Sequence, residues 1–213
     1  MSEATGKKTQ DLAIKAGVKL DAKVVDELDA LQSAFTTRQD LLLSFGTNVI
    51  VPEWILKKQG LIACNVHAAS PQYPGRDPHH FAIYDQAKQY GATLHYMTHN
   101  VDAGSIIDVE LFDVELRTTT PSGLLNLAKE SAWALIKRFF ERYIEYGAPK
   151  AMSGMSWGTR KTTRKMFLDL CRINQSMPKE EIERRYRATA MPGYKNLFID
   201  IHGFRFRIDE LAE

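Results

Sequence analysis

The sequence predicts an α/β fold around an open sheet of mainly parallel strands. Three observations carry that prediction. Two short, continuous apolar runs, DLLLSF (40–45) and LIACNVH (61–67), stop at turn-forming residues, as strands buried on both faces do. Stretches with apolar residues at helical spacing stand around them. The segment DPHHFAIYDQAKQYG (77–91) opens on Asp-Pro and closes on glycine, the order found at helix ends.

The elements follow in order. TQDLAIKAG (9–17) and AKVVDELDALQSAF (22–35) read as amphipathic helices, with GVKL (17–20) as a possible short strand between them. After the strand 40–45 and its GTN turn, VPEWILKKQG (51–60) has proline near a helix start and glycine at its end. The strand 61–67 leads to the helix 77–91, with Asp77 as N-cap, Pro78 at the first position and Gly91 at the stop. ATLHYMTH (92–99) and SIIDVELFDVEL (105–116) alternate like strands, joined by the turn-forming NVDAG (100–104). TPSGLLNLAKESAWALIKRFFERYIEYG (120–147) is a long amphipathic helix closed by Gly147. From 148 the texture changes: APKAMSGMSWGTRKTT is polar and irregular, PKEEIERRYRATA is a charged helix, and NLFIDIHGFRFRID is a hairpin turning at His202-Gly203. The expected organisation is a core of 1–148 and a small α+β extension of 149–213.

Composition narrows the function classes. At 213 residues, 44% hydrophobic and 25% charged, the chain suits one soluble domain, or one with an appendage. A net charge of +2 argues for neither a nucleic-acid coat nor an acidic tail. No apolar stretch reaches the ~18 residues of a membrane span, and MSEATGKKTQDLAIK has no apolar centre resembling a signal peptide. Cys64 and Cys171 are far apart and read as reduced thiols. A cytoplasmic protein without nucleic-acid or membrane partners is the expectation.

Metal chemistry finds little support. His79 and His80 are adjacent, so on a helix they diverge by about 100°, and there are no paired cysteines and no His-x-x-x-His spacing. The dinucleotide fingerprint, the P-loop pattern and the Gly-x-Ser-x-Gly elbow are absent, and GTRKTT reads as a solvated basic turn. Asn65, His67 and Asp102 remain. Asn65 and His67 share one face of a strand, and all three fall at strand ends, where open α/β sheets bind ligands. An imidazole can take a proton near neutral pH, a carboxylate can stabilise its charge, and an amide can donate to an oxyanion. Together they suit attack by an amine on a carbonyl carbon. The spacing by itself leaves open a turn-closing Asn65, a backbone-bonded His67 and an ordinary turn residue at Asp102.

The segment NVH, the loop SPQYPG and then YGATLHYMTHNVDAGSII resemble the folate-dependent formyltransferases, which include the methionyl-tRNA, glycinamide ribonucleotide and sugar N-formyltransferases. That family carries Asn-x-His on a strand, a Pro-x-Tyr-Arg-Gly-like loop, a Gly-Val-Thr-x-His-like strand and Asp-x-Gly-x-Ile. The counterparts here are Asn65 and His67; Pro71, Tyr73 and Gly75; Gly91, Thr93 and His95; and Asp102, Gly104 and Ile106. The likeness spans about 41–115. It departs in a His67–Asp102 interval shorter by one, in Arg76 following the glycine, and in a short stretch before Asn65, where a first strand and its turn are expected to be missing.

What the resemblance implies is a Rossmann-like fold that transfers formyl from 10-formyltetrahydrofolate to a primary amine without a metal. His67 would take the amine's proton, Asn65 would hold the formyl oxygen, and Asp102 would orient His67. The pterin would lie against 46–52 and 98–103, beside Asn48, Ile50, Val51 and Asn100. The tail resembles that of sugar N-formyltransferases, which implies a nucleotide-linked amino sugar such as GDP-perosamine, used for lipopolysaccharide O-antigen, and a homodimer. Tyr73, Arg76 and Trp157 would contact this acceptor, and Arg160, Arg164, Arg184, Arg185 and Arg187 would meet its diphosphate. The alternatives are an amino acid acceptor such as hydroxyornithine, or a catalytically silent protein that binds folate or nucleotide.

Overall fold

A computed structural model describes residues 1–115 and 118–208. Leu116 and Asp209, at the ends of the last expected strand of the core and of the expected hairpin, lie outside the described residues. The main sheet has four strands in chain order: β1 (Leu41–Phe45), β2 (Ile62–His67), β3 (Gln89–Tyr96) and β4 (Ile106–Asp113). β1 and β2 pair in parallel, whereas β3 runs antiparallel to both β2 and β4. Three strands therefore point one way and β3 opposes them, an α/β sheet of mixed pairing. The connection from β2 to β3 holds a short helix, α4 (Pro78–Tyr84). β3 starts near where β2 ends and runs back beside it.

Several local expectations shift. The first helix, α1 (Glu3–Lys15), starts earlier than expected because the Ser2 side chain caps it by accepting from the Thr5 N–H. GVKL is not a strand, and the second helix shrinks to α2 (Leu28–Ala34). Residues 22–27 stay irregular: Val24 packs so closely on α1 that a Cβ at Gly6 would fall 2.4 Å from its Cγ1. The Met1 ammonium also donates to the Val25 carbonyl at 2.6 Å. The helix after β1, α3 (Glu53–Leu56), is a single turn behind Pro52. α4 ends at Asp85, not at Gly91. Asp77 does hold its N-cap position, but in the left-handed region (φ 55°) and without a side-chain cap bond. Gly91 belongs to β3, where a Cβ would lie 1.9 Å from the Glu110 carbonyl oxygen of β4.

The long helix α5 (Pro121–Tyr146) matches its expectation, with Thr120 accepting from the Gly123 N–H and Gly147 ending it. Its Leu135, Ile136 and Phe139 pack with Val66, Ala92, Leu94 and Ile107 of the sheet to form the main core. After 148 comes a helix absent from the sequence reading, α6 (Arg164–Cys171), capped by Thr163. β5 (Arg172–Ile173), α7 (Lys179–Thr189), β6 (Phe198–Ile201) and β7 (Phe204–Arg207) complete the chain. β6 and β7 form the expected hairpin, with His202 and Gly203 both at positive φ. The tail packs on α4: Phe167, Leu170, Ala188 and Phe198 share a cluster with Phe81, Ile83 and Tyr90.

Arg160, Arg164, Arg184 and Arg185 have partners within the protein, whereas the expectation has them free for a diphosphate. Arg184 Nε donates to the Tyr84 carbonyl at 2.6 Å. Arg185 pairs with Glu181 and donates to the carbonyls of Asp169, Leu170 and Arg172. Arg160 pairs with Asp85, and Arg164 lies over the Phe167 ring, 3.7 Å from Asp77. Among the described residues no helix is long and apolar enough to cross a membrane.

Candidate active site

The carboxyl ends of β1 and β2, the 97–102 loop and one face of α5 enclose a cavity of about 790 Å³. Asn65, His67, His95 and Asp102 line one part of it. Strand geometry brings the first three together. Asn65 and His67 are two apart on β2, and His95 sits directly across from Asn65 in the β2/β3 register. Asp102 arrives from the β3–β4 loop at φ 47°. The loop can close over the sheet because Gly104 carries no side chain: a Cβ there would lie 1.8 Å from the Tyr96 carbonyl oxygen.

His67 Nε2 lies 2.9 Å from the Tyr73 carbonyl. A carbonyl can only accept, so Nε2 carries the hydrogen and Nδ1 is the atom free to take a proton. Nδ1 stands 3.6 Å from Asp102 Oδ2, beyond hydrogen-bond range. The ring is thus oriented by the Tyr73 backbone and not, as expected, by Asp102. Burial pushes the His67 pKa down against the opposing pull of Asp102, so the imidazole is uncharged near neutral pH and able to act as a base. Burial would raise the Asp102 carboxyl, yet its pKa is held below the ordinary carboxylate value, with the Gly75 N–H as a direct donor to it. Gly75 N–H donates to Asp102 Oδ2 at 2.9 Å.

The stretch expected to be a solvated turn clamps this loop. Thr162 is buried, its N–H donates to the Pro74 carbonyl at 2.9 Å, its Oγ1 donates to the Arg76 carbonyl at 2.7 Å, and its carbonyl accepts from the Arg76 N–H at 3.0 Å. Gly75, at φ 102°, allows the approach, since a Cβ would lie 2.2 Å from the Thr162 oxygen. No local pattern in GTRKTT signals this role.

Of the residues expected around the ligands, Asn48, Ile50, Val51, Asn100 and Arg76 all line the cavity. Tyr73 does not. Its ring is buried against Tyr90 with a centroid distance of 5.9 Å, and burial pushes its phenol up to about 12. Trp157 lies outside the cavity lining, packs edge-on against His95 and His67 at 4.9 and 6.0 Å, and donates from Nε1 to the Gly104 carbonyl at 2.8 Å. Sequence reasoning also missed Lys129 and Lys161, which join Arg76 in the cavity wall. Lys129 follows Leu125 and precedes Trp133 at four-residue steps on α5, a spacing that marks one helix face but not what it faces.

Comparison with known proteins finds a matching family and structures of similar fold. The model of the formyl transferase family matches residues 6–138. The methionyl-tRNA formyltransferase of Lysinibacillus sphaericus is 35% identical over 89 residues, which is 41% of this chain and 28% of that protein. The chain thus spans roughly a third of the length of the curated relatives it matches. Among solved structures, a sugar N-formyltransferase from Shewanella superposes with a TM-score of 0.79 at 17% identity, covering 100% of this chain and 95% of that one. HypX from Aquifex aeolicus, in complex with tetrahydrofolic acid, superposes with a TM-score of 0.59 at 17% identity, over 82% of this chain and 30% of that one.

Proposed function

Because this chain belongs to the formyl transferase family, we propose that it moves a formyl group from 10-formyltetrahydrofolate to the primary amine of a nucleotide-linked amino sugar, with Asn65, His67 and Asp102 as catalytic residues. The observation that carries the reading is an uncharged imidazole nitrogen, a carboxylate and an amide converging on one cavity wall. The amine nitrogen attacks the formyl carbon and its proton passes to His67 Nδ1. Asn65 Nδ2–H donates to the formyl oxygen as it becomes an oxyanion. When the bond from that carbon to the folate nitrogen breaks, His67 returns the proton to the departing nitrogen. Asp102, 3.6 Å from Nδ1, stabilises the imidazolium in between.

The cavity volume is in the range that encloses one drug-sized ligand. Phe45, Val49, Ile50 and Val51 give it an apolar wall, with Asn48 and Asn100 as polar groups for ring edges. The folate bound in the Aquifex neighbour supports the same co-substrate here. For the acceptor, Arg76, Lys129 and Lys161 share the lining with a single carboxylate, Asp102, among its described residues, and Arg76 also lies 3.8 Å from Asp77 outside it. This positive wall suits a diphosphate, and the Shewanella sugar N-formyltransferase supports an amino sugar. GDP-perosamine, an O-antigen precursor, is the first candidate, acted on in the cytoplasm by a homodimer. The core of 1–148 would hold the chemistry, and the extension of 149–213 would clamp the Tyr73–Arg76 loop.

The test is mass spectrometry of acceptors after incubation with formyl donor. GDP-, UDP- and dTDP-linked amino sugars, hydroxyornithine and methionyl-tRNA form the panel. We expect a formylated amino sugar and, for Arg76→Ala, a raised KM for it with little change in kcat. Formylation of hydroxyornithine or methionyl-tRNA alone would overturn the sugar reading.

A further inference from the structure

We propose that His95 is the positioning residue of Asn65: its imidazole fixes which way the amide points, so that an N–H and not the carbonyl oxygen faces the reacting formyl group. The inference rests on the formyl-transfer reading and deepens it. His95 is 2% exposed and lines the cavity, with Trp157 packed on its ring at 4.9 Å. Its Nδ1 lies 2.8 Å from the Tyr96 carbonyl, which can only accept, so Nδ1 carries the hydrogen. In a ring with a single hydrogen, Nε2 then offers a lone pair. The nearest polar atom is Asn65 Nδ2 at 3.0 Å, a normal hydrogen-bond length, whereas Asp102 Oδ1 lies at 3.5 Å.

The consequence follows from the chemistry of a primary amide. Asn65 Nδ2 has two hydrogens. One is given to His95 Nε2, which pins the amide plane, and the other remains for the cavity that Asn65 lines. Rotated by half a turn, the same side chain would present Oδ1 there and repel a developing oxyanion. The Asn65–His95 pairing is set by strand register, so the donor is fixed before any ligand arrives, and that preorganisation is what makes an oxyanion donor effective.

Three variants of His95 and one double variant separate positioning from packing. His95→Leu should lower kcat about 10²-fold, the scale of losing one oxyanion donor, with KM for the amine little changed. His95→Gln places an amide oxygen near the old Nε2 and should recover much of the rate. His95→Asn mimics Nδ1 and should not, even if it melts at the same temperature. In an Asn65→Ala background, His95→Leu should cost nothing further, since its effect runs through that amide. Additive losses, or rescue that follows melting temperature alike for Asn and Gln, would overturn the proposal.

Nitrogen-15 NMR of the histidine rings and the Asn65 side-chain amide supplies an arm free of catalysis. We expect the Nδ1–H form of His95, and an Asn65 amide signal that moves in His95→Leu. An Nε2–H form, or an unmoved amide, would overturn the inference even in an active enzyme. If the wild-type chain formylates nothing in the panel, the functional reading fails while the NMR arm still decides the hydrogen bond.

Discussion

Replacing Asp102 with Asn removes one charge from the site and almost nothing else. The side chains are isosteric, Asn tolerates the left-handed backbone that Asp102 adopts at φ 47°, and an amide oxygen can still accept from Gly75 N–H. What is lost is the attraction between Asp102 and an imidazolium at His67. Two unit charges 3.6 Å apart attract by about 4–5 kcal/mol at an effective dielectric of ~20. Burial keeps His67 uncharged before the amine arrives, so this attraction acts mainly once the proton has moved. The expected loss in kcat is therefore on the order of 10³-fold, with KM for folate nearly unchanged. The pH profile gives a second reading. Asp102 raises the His67 pKa against desolvation, so its removal should move the acid limb of kcat/KM to still lower pH. Stopped-flow absorbance of the folate product across pH measures both quantities. A rate within tenfold of wild type, or an acid limb that moves up, would refute the reasoning.

Three further outcomes are expected. His79 is buried, both its ring nitrogens lack a hydrogen-bond partner among the described residues, and burial pushes its pKa down to about 3. The unfolded chain binds this proton below about 6.5 and the folded one does not, so stability is full above 6.5 and falls toward pH 3, by up to ~1.4 kcal/mol per pH unit. In urea melts His79→Leu should match or exceed wild type at pH 7.5 and lose less at pH 5; equal losses would contradict this. Gly104→Ala forces a Cβ into the Tyr96 carbonyl, and should cost more than ~2 kcal/mol and most of the activity; a silent variant in thermal melts and turnover would mean the loop lies elsewhere. On the outer face of the hairpin, Phe204 and Phe206 are 71% and 55% exposed, opposite Ile201 and Ile199. The homodimer proposed here should dissociate in Phe204→Glu by sedimentation equilibrium, and a wild-type monomer would rule it out.

Much of the site was legible because its signals are local. Asn65 and His67 share a face through the two-residue repeat of any strand, Thr120 and Gly147 mark helix ends by their own hydrogen bonds and dihedrals, and His202-Gly203 turns a hairpin through positive φ at both positions. These depend on neighbours a few bonds away, so the amino-acid order determines them. Tertiary structure decided the rest. The pairing of His95 with Asn65 requires β3 to reverse beside β2, a contact between residues 30 positions apart. Tyr73 turns inward because Tyr90 and the rest of its cluster bury it, leaving only its carbonyl for His67. Arg160, Arg184 and Arg185 looked free for a diphosphate, but packing α6 and α7 against α4 presents carbonyls and carboxylates that they satisfy. Thr162 became a clamp only when residues 86 positions apart met. Such contacts are chosen by which buried polar groups must find partners. That demand appears only when the chain has packed, and no spacing along the sequence records it.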